Sequence, residues 1–163
     1  MSMRDEGLSC IRRNYACRLQ DPRYRRLWYV ANPQALFHWQ TRERALARAL
    51  GRNGFTDKAR LAKARLLDVG CGDGQELGRM VVYGAHPSHC FGVDLIPQHV
   101  FVARRTYGGS RFAVANAGEL PFENAQFDLG MCHVVFSSIP ADRLRRAAGA
   151  EIMRVLRPGA PLL

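Results

Sequence analysis

A chain of 163 residues suits one domain able to bury a real core, and 47% hydrophobic against 23% charged residues is the ordinary balance of a soluble globular protein. No apolar run approaches the roughly 18 to 20 residues that cross a bilayer, and the opening MSMRDEGLSCIRRNY has no apolar stretch resembling a signal peptide; no membrane partner is expected, and the expected location is the cytoplasm. Lys and Arg number 24 against 14 Asp and Glu, a formal charge of +10 that keeps an anionic partner such as RNA or DNA open, although groups such as Arg42, Arg44, Arg48 and Arg143, Arg145, Arg146 read more simply as solvated helix faces.

Residues 1 to about 60 carry no strand-like segment, and aromatics crowd there at Tyr24, Trp28, Tyr29, Phe37 and Trp39. Asn32 before Pro33 reads as a helix N-cap with proline at the first helical position. A helix then runs from Gln34 to Leu50, with Gly51 and Asn53-Gly54 as its stop. Its apolar positions Leu36, Trp39, Leu46 and Leu50 recur only loosely at helical spacing. This region is expected to form a helical cap on the remainder of the chain.

Residues 61 to 163 alternate between strand and helix. Short apolar runs stand at Leu66 to Val69, Cys90 to Val93, Phe112 to Val114 and Phe127 to Phe136, with helical stretches at Gln75 to Tyr83, Pro97 to Tyr107 and Ala141 to Leu156. Such alternation predicts an α/β fold, an open, mainly parallel sheet with helices on its faces. Arg157-Pro158-Gly159 ends the last helix, and Ala160 to Leu163 opens a fifth strand. So short a last strand leaves the sheet edge bare, which predicts that a further C-terminal segment or a second copy of the chain covers it.

The cysteines Cys10, Cys17, Cys71, Cys90 and Cys132 form no C-x-x-C pair and read as free thiols. His86, His89 and Cys90 stand close together, but no second cluster completes a four-coordinate site, so no metal is expected.

The chemistry is concentrated in LLDVGCGDGQELGRM, residues 66 to 80. An apolar strand runs into Asp68, Gly70, Gly72 and Gly74 alternate, and a helix comes next. Glycines there permit a tight turn with no side chain between backbone and ligand. A dinucleotide fingerprint would place its third glycine where Gln75 stands, and Asp68 would face a pyrophosphate poorly. A cationic ligand suits the loop better.

The stretch D-V-G-C-G-D-G resembles motif I of the class I S-adenosylmethionine-dependent methyltransferases. FGVDL, ANAGELPFENAQFDL and EIMRVLRPGAPLL are similar to three further landmarks of that family, in the same order. The resemblance covers about residues 60 to 163. It implies a Rossmann-like sheet of seven strands ordered 3-2-1-4-5-7-6, incomplete here after strand five, and S-adenosylmethionine as cofactor. Carried over by position, it implies that Asp68, Gly70, Cys71 and Gly72 hold the methionine end and that Asp94 binds the ribose. Leu95 and Ile96 would flank the adenine, Asn116 and Ala117 would meet its edge, and Cys132 would lie by the sulfonium. Asn116 stands where the family usually has Asp, and it keeps a carbonyl acceptor for the adenine amino group.

The expected activity is methyl transfer to a small-molecule or saccharide hydroxyl. His133 and His38 are the candidates for a general base. The stretch CHVVFSSIP replaces the Asn/Asp-Pro-Pro-Tyr/Phe motif of amino-methylating nucleic-acid enzymes, and no proline precedes Cys132 as it does the nucleophile of cytosine-C5 enzymes. Two alternatives stay open: a cofactor-binding or degenerate module working with a partner, and an RNA methyltransferase.

Overall fold

The computed structural model describes residues 3–23 and 31–163. They fall into two compact units, Met1–Phe55 and Thr56–Leu163. Among the described residues no helix is long and apolar enough to cross a membrane.

The first unit is helical, with α1 at Met3–Gln20 and α2 at Pro33–Arg52. Asn32 caps α2: its side-chain oxygen accepts from Gln34 N at 3.0 Å, and Pro33 fills a position whose N–H has no helical partner. The helix ends later than its sequence suggests. Gly51 and Arg52 remain helical, and the positive φ that turns the chain away comes at Gly54, +78°. Ala35, Leu46 and Leu50 form the buried stripe, whereas Leu36 is exposed and Trp39 half-buried, with the Arg42 guanidinium over its ring. Tyr24, Trp28 and Tyr29 lie outside the described residues.

The second unit begins with α3, Lys58–Lys63, capped by the Asp57 carboxylate on Arg60 N. Its four strands are β1 (Leu66–Val69), β2 (Cys90–Asp94), β3 (Arg111–Val114) and β4 (Leu129–Met131). They lie in the order β3-β2-β1-β4 and every pair is parallel, which crossover connections rather than hairpins allow. The connecting helices are α4 (Gln75–Tyr83) and α5 (Pro97–Thr106), then α6 (Val135–Ser138) and α7 (Asp142–Val155) after β4. Strands β1, β2 and β4 are buried at every position, which is why they read as continuous apolar runs without alternation.

Two strand boundaries differ from expectation. The run Phe127 to Phe136 is not one strand: β4 ends at Met131, Val134 takes a left-handed φ of +63°, and Val135 opens α6. A short apolar run does not by itself distinguish strand from buried helix, and this one contains both. The fifth strand is reduced to one parallel bridge, Gly130 with Leu162, in which Gly130 N donates to Pro161 O and Leu163 N to Gly130 O.

Three phenylalanines anchor the core beneath the sheet. Phe91, Phe122 and Phe127 meet edge to face with centroids 4.9 to 6.1 Å apart, among Leu67, Val69, Val93, Ile152 and Val155. The connection from β3 to β4 is tied to α7 by an ion pair. Glu151 accepts from Leu120 N and from Arg154, while Arg154 also donates to the carbonyls of Leu120 and Phe122. The Arg154 hydrogen bond, then that from Leu120, holds the Glu151 carboxyl below its ordinary range.

Candidate functional site

The chain leaves β1 toward β2 on one side of the sheet and returns to β4 on the other. A reversal of strand order opens a crevice at the carboxyl ends, the usual place for a ligand in an open parallel sheet. The loop after β1 lies there. Gly70 N and Cys71 N both donate to Val93 O, at 2.7 and 3.0 Å, which fastens the loop to the neighbouring strand. Gly70 and Gly72 have φ of +76° and +54°, conformations that residues with a Cβ rarely adopt.

Asp94, the last residue of β2, ties this loop to its own turn. Its Oδ2 accepts from Gly72 N at 2.9 Å and its Oδ1 from Ile96 N at 2.8 Å. Asp68, in β1 opposite Gly92 of β2, is 2% exposed. Both carboxylates, with Asp73, act on the Cys71 thiol: burial first and then Asp68 and Asp94 push its pKa far up. Cys132, one residue past β4, is pushed up to about 11 by burial and by Asp68. Two buried carboxylates thus share one end of the sheet with two protonated thiols. Such a field favours a cationic ligand over a phosphate.

The remaining residues singled out by the sequence distribute around this end. Ile96 is buried and Leu95 half-buried in the turn after Asp94. Asn116 and Ala117 come after β3, next to Asp94, whose carbonyl accepts from Ala115 N at 3.0 Å. Asn116 Oδ1 accepts from Gly118 N, a local turn that leaves the oxygen a second lone pair. His133 is half-buried directly after Cys132, while His38 is exposed on α2, in the other unit. His86, His89 and Cys90 use their polar atoms locally, on Ser88 Oγ, Ala62 O and His86 O.

Two residues at this end escape a reading of the sequence. His99, on the first turns of α5, has Nδ1 3.4 Å from Asp94 Oδ1. An imidazole shortly after a strand-end carboxylate, on the next helix, is the local signal that would have flagged it. Val135 packs on the glycine loop so closely that a Cβ on Gly70 would lie 2.3 Å from its Cγ2. At Gly72 the same construction meets nothing within 4 Å, so that stretch of backbone is open.

The thiols give a direct check on the field at this end. Only the thiolate reacts, so the raised groups resist alkylation. At about pH 8, below the ordinary thiol range, iodoacetamide is expected to label exposed Cys17 first and Cys71, Cys90 and Cys132 last, as followed by peptide mass spectrometry. Labelling of Cys71 as fast as Cys17 would contradict the described burial.

A family model described as "Methyltransferase domain" matches residues 67–163, from β1 to the bridge at the sheet edge. The O-methyltransferase rstn1 of Aspergillus nomiae is 36% identical over 104 residues, 60% of this chain and 44% of that protein. An O-methyltransferase of Pyrenophora dematioidea is 37% identical over 103 residues, 60% of this chain and 37% of that protein. The chain therefore spans less than half the length of these curated relatives. Among solved structures, a SAM-dependent methyltransferase from Methanosarcina mazei superposes with a TM-score of 0.57 at 26% identity, covering 62% of this chain and 51% of its own. Because the match takes in every strand and every loop at the carboxyl end of the sheet, the chain belongs to the methyltransferase-domain family, the class I S-adenosylmethionine-dependent methyltransferases.

Proposed function

We propose that Thr56–Leu163 binds S-adenosylmethionine at the carboxyl ends of its strands, and that the protein transfers a methyl group to a hydroxyl of a small molecule or saccharide. The observation that carries the cofactor site is Asp94. Its two oxygens tether Gly72 and Ile96, and each keeps a lone pair with which a ribose hydroxyl can bond. The open backbone at Gly72 and the buried carboxylate Asp68 suit a ligand that carries an ammonium and a sulfonium.

In this reading Asp68, Gly70, Cys71 and Gly72 hold the methionine end and Asp94 the ribose. Leu95 and Ile96 flank the adenine, Asn116 and Ala117 meet its edge, and Cys132 lies by the sulfonium. When bound, the cofactor supplies a methyl group already activated by its positive sulfur. The protein's part is then to align an acceptor and keep water out. A hydroxyl acceptor also needs a proton sink, for which half-buried His133 is a better placed candidate than exposed His38. The O-methyltransferase names of the two fungal relatives, at 36% and 37% identity, support the acceptor class.

The test is calorimetric titration of the full chain with S-adenosylmethionine, with NAD as control. Micromolar binding of the first and none of the second is expected. A folded chain that binds neither would overturn the cofactor site and favour a module that works through a partner.

A further inference from the structure

The imidazole of His99 lies 3.4 Å from the carboxylate on which the cofactor reading turns, and both side chains are largely enclosed. Asp94 is already shared between two backbone donors: Oδ2 is held by Gly72 N, while Oδ1 takes Ile96 N and faces His99. Any ribose hydroxyl bonding to Oδ1 does so beside that ring. We propose that His99 is a positioning residue for Asp94 whose protonation weakens cofactor binding, so that acid in the imidazole range lowers affinity for the ribose. This inference rests on the cofactor site proposed above.

The direction comes from charge and geometry. A neutral imidazole leaves the Asp94 charge to the ligand. An imidazolium pairs with Oδ1, competes for the lone pair a hydroxyl needs, and neutralises the acceptor. The other titratable or charged groups around this end come from four elements, of which the segment after β4 holds Cys132, pushed up to about 11 by burial and by Asp68, and half-buried His133. On β1 and its loop these are Asp68, Asp73 and Cys71, of which Cys71 stays protonated. On α5 they are Arg104 and Arg105, the first occupied with Phe112 O and the second lying over the Phe101 ring. After β3 stand the uncharged Asn116 and Ala117, then Glu119, which is exposed. Among the groups at this end His99 is the imidazole that lies against Asp94 Oδ1, and replacing it alone separates its contribution from that of His133.

The experiment titrates the full chain with S-adenosylmethionine and, separately, with S-adenosylhomocysteine at about pH 7 and about pH 5.5, below the range in which the ligands' own amino group titrates. The native chain is expected to lose about fivefold in affinity for both ligands on acidification, since both carry the ribose and the coupling acts on it. His99→Gln, which keeps an N–H near the carboxylate but does not titrate, is expected to show an affinity for either ligand that is flat over this range. A native slope retained in His99→Gln overturns the proposal. So does a slope seen only for the sulfonium ligand, because that would report general repulsion of a cation. Binding of both ligands without any pH dependence defeats the role of His99 while leaving the cofactor site standing. Absence of binding at both pH values removes the site itself and the proposal with it.

Discussion

Asp94→Asn is expected to raise the dissociation constant for S-adenosylmethionine by on the order of 10²- to 10⁴-fold. Two hydrogen bonds from ribose hydroxyls to a carboxylate are weakened or lost, each about 1.5–3 kcal/mol, and about 1.4 kcal/mol is tenfold in affinity. The same change has a structural cost that must be measured beside it. The carboxylate accepts from Gly72 N and Ile96 N with separate oxygens, and an amide can serve only one of them with its carbonyl. One buried N–H then faces an NH₂ group, at a cost of about 1–3 kcal/mol in stability. Calorimetry and thermal melting of the same preparation separate the two effects. A melting loss with intact affinity would leave Asp94 as a turn-former only and sink the ribose assignment.

How far this site could be read in the sequence depends on which parts of it are local. The glycine loop and Asp94 were legible because backbone chemistry favours them: glycine sits easily at φ of +76° and +54°, and a carboxylate at a strand end can collect the turn's free N–H groups, whereas Asp68 was singled out by the family resemblance. Strand order was legible too, through family resemblance, and β3-β2-β1-β4 agrees with it. Boundaries were harder wherever one apolar run serves two elements. Phe127 pairs with Leu156, Leu129–Met131 with β1, and Val135 already belongs to α6. Gly51 suggested a stop and was absorbed into α2, because a glycine inside a helix costs only about 1 kcal/mol and the left-handed residue needed to leave it comes at Gly54. The contacts of His99 and Val135 were invisible for a different reason. Each depends on which residue of another element arrives opposite, and no local periodicity encodes that.

The contact of Val135 on the loop yields the largest expected stability effect. Gly70→Ala should destabilise the second unit by about 2–5 kcal/mol, from two separable sources. The left-handed backbone costs a residue with a Cβ about 1–2 kcal/mol. The new methyl would also meet Val135 Cγ2 at 2.3 Å, and overpacking of that kind costs about 1–3 kcal/mol more. Gly72→Ala isolates the first source, because its φ of +54° is equally left-handed while a Cβ there meets nothing within 4 Å. The second source is isolated by Gly70→Ala combined with Val135→Ala, which removes the methyl in the way. Thermal melts of the native chain, Gly70→Ala, Val135→Ala and the double variant form a cycle. The double variant should be more stable than the sum of the singles predicts, and its loss relative to Val135→Ala alone should be close to that of Gly72→Ala. At about 4–8 °C per kcal/mol for a domain of roughly this size, the non-additivity is large enough to measure. Strict additivity would mean that Val135 yields freely to the loop, and that the segment after β4 does not fix the position of Gly70.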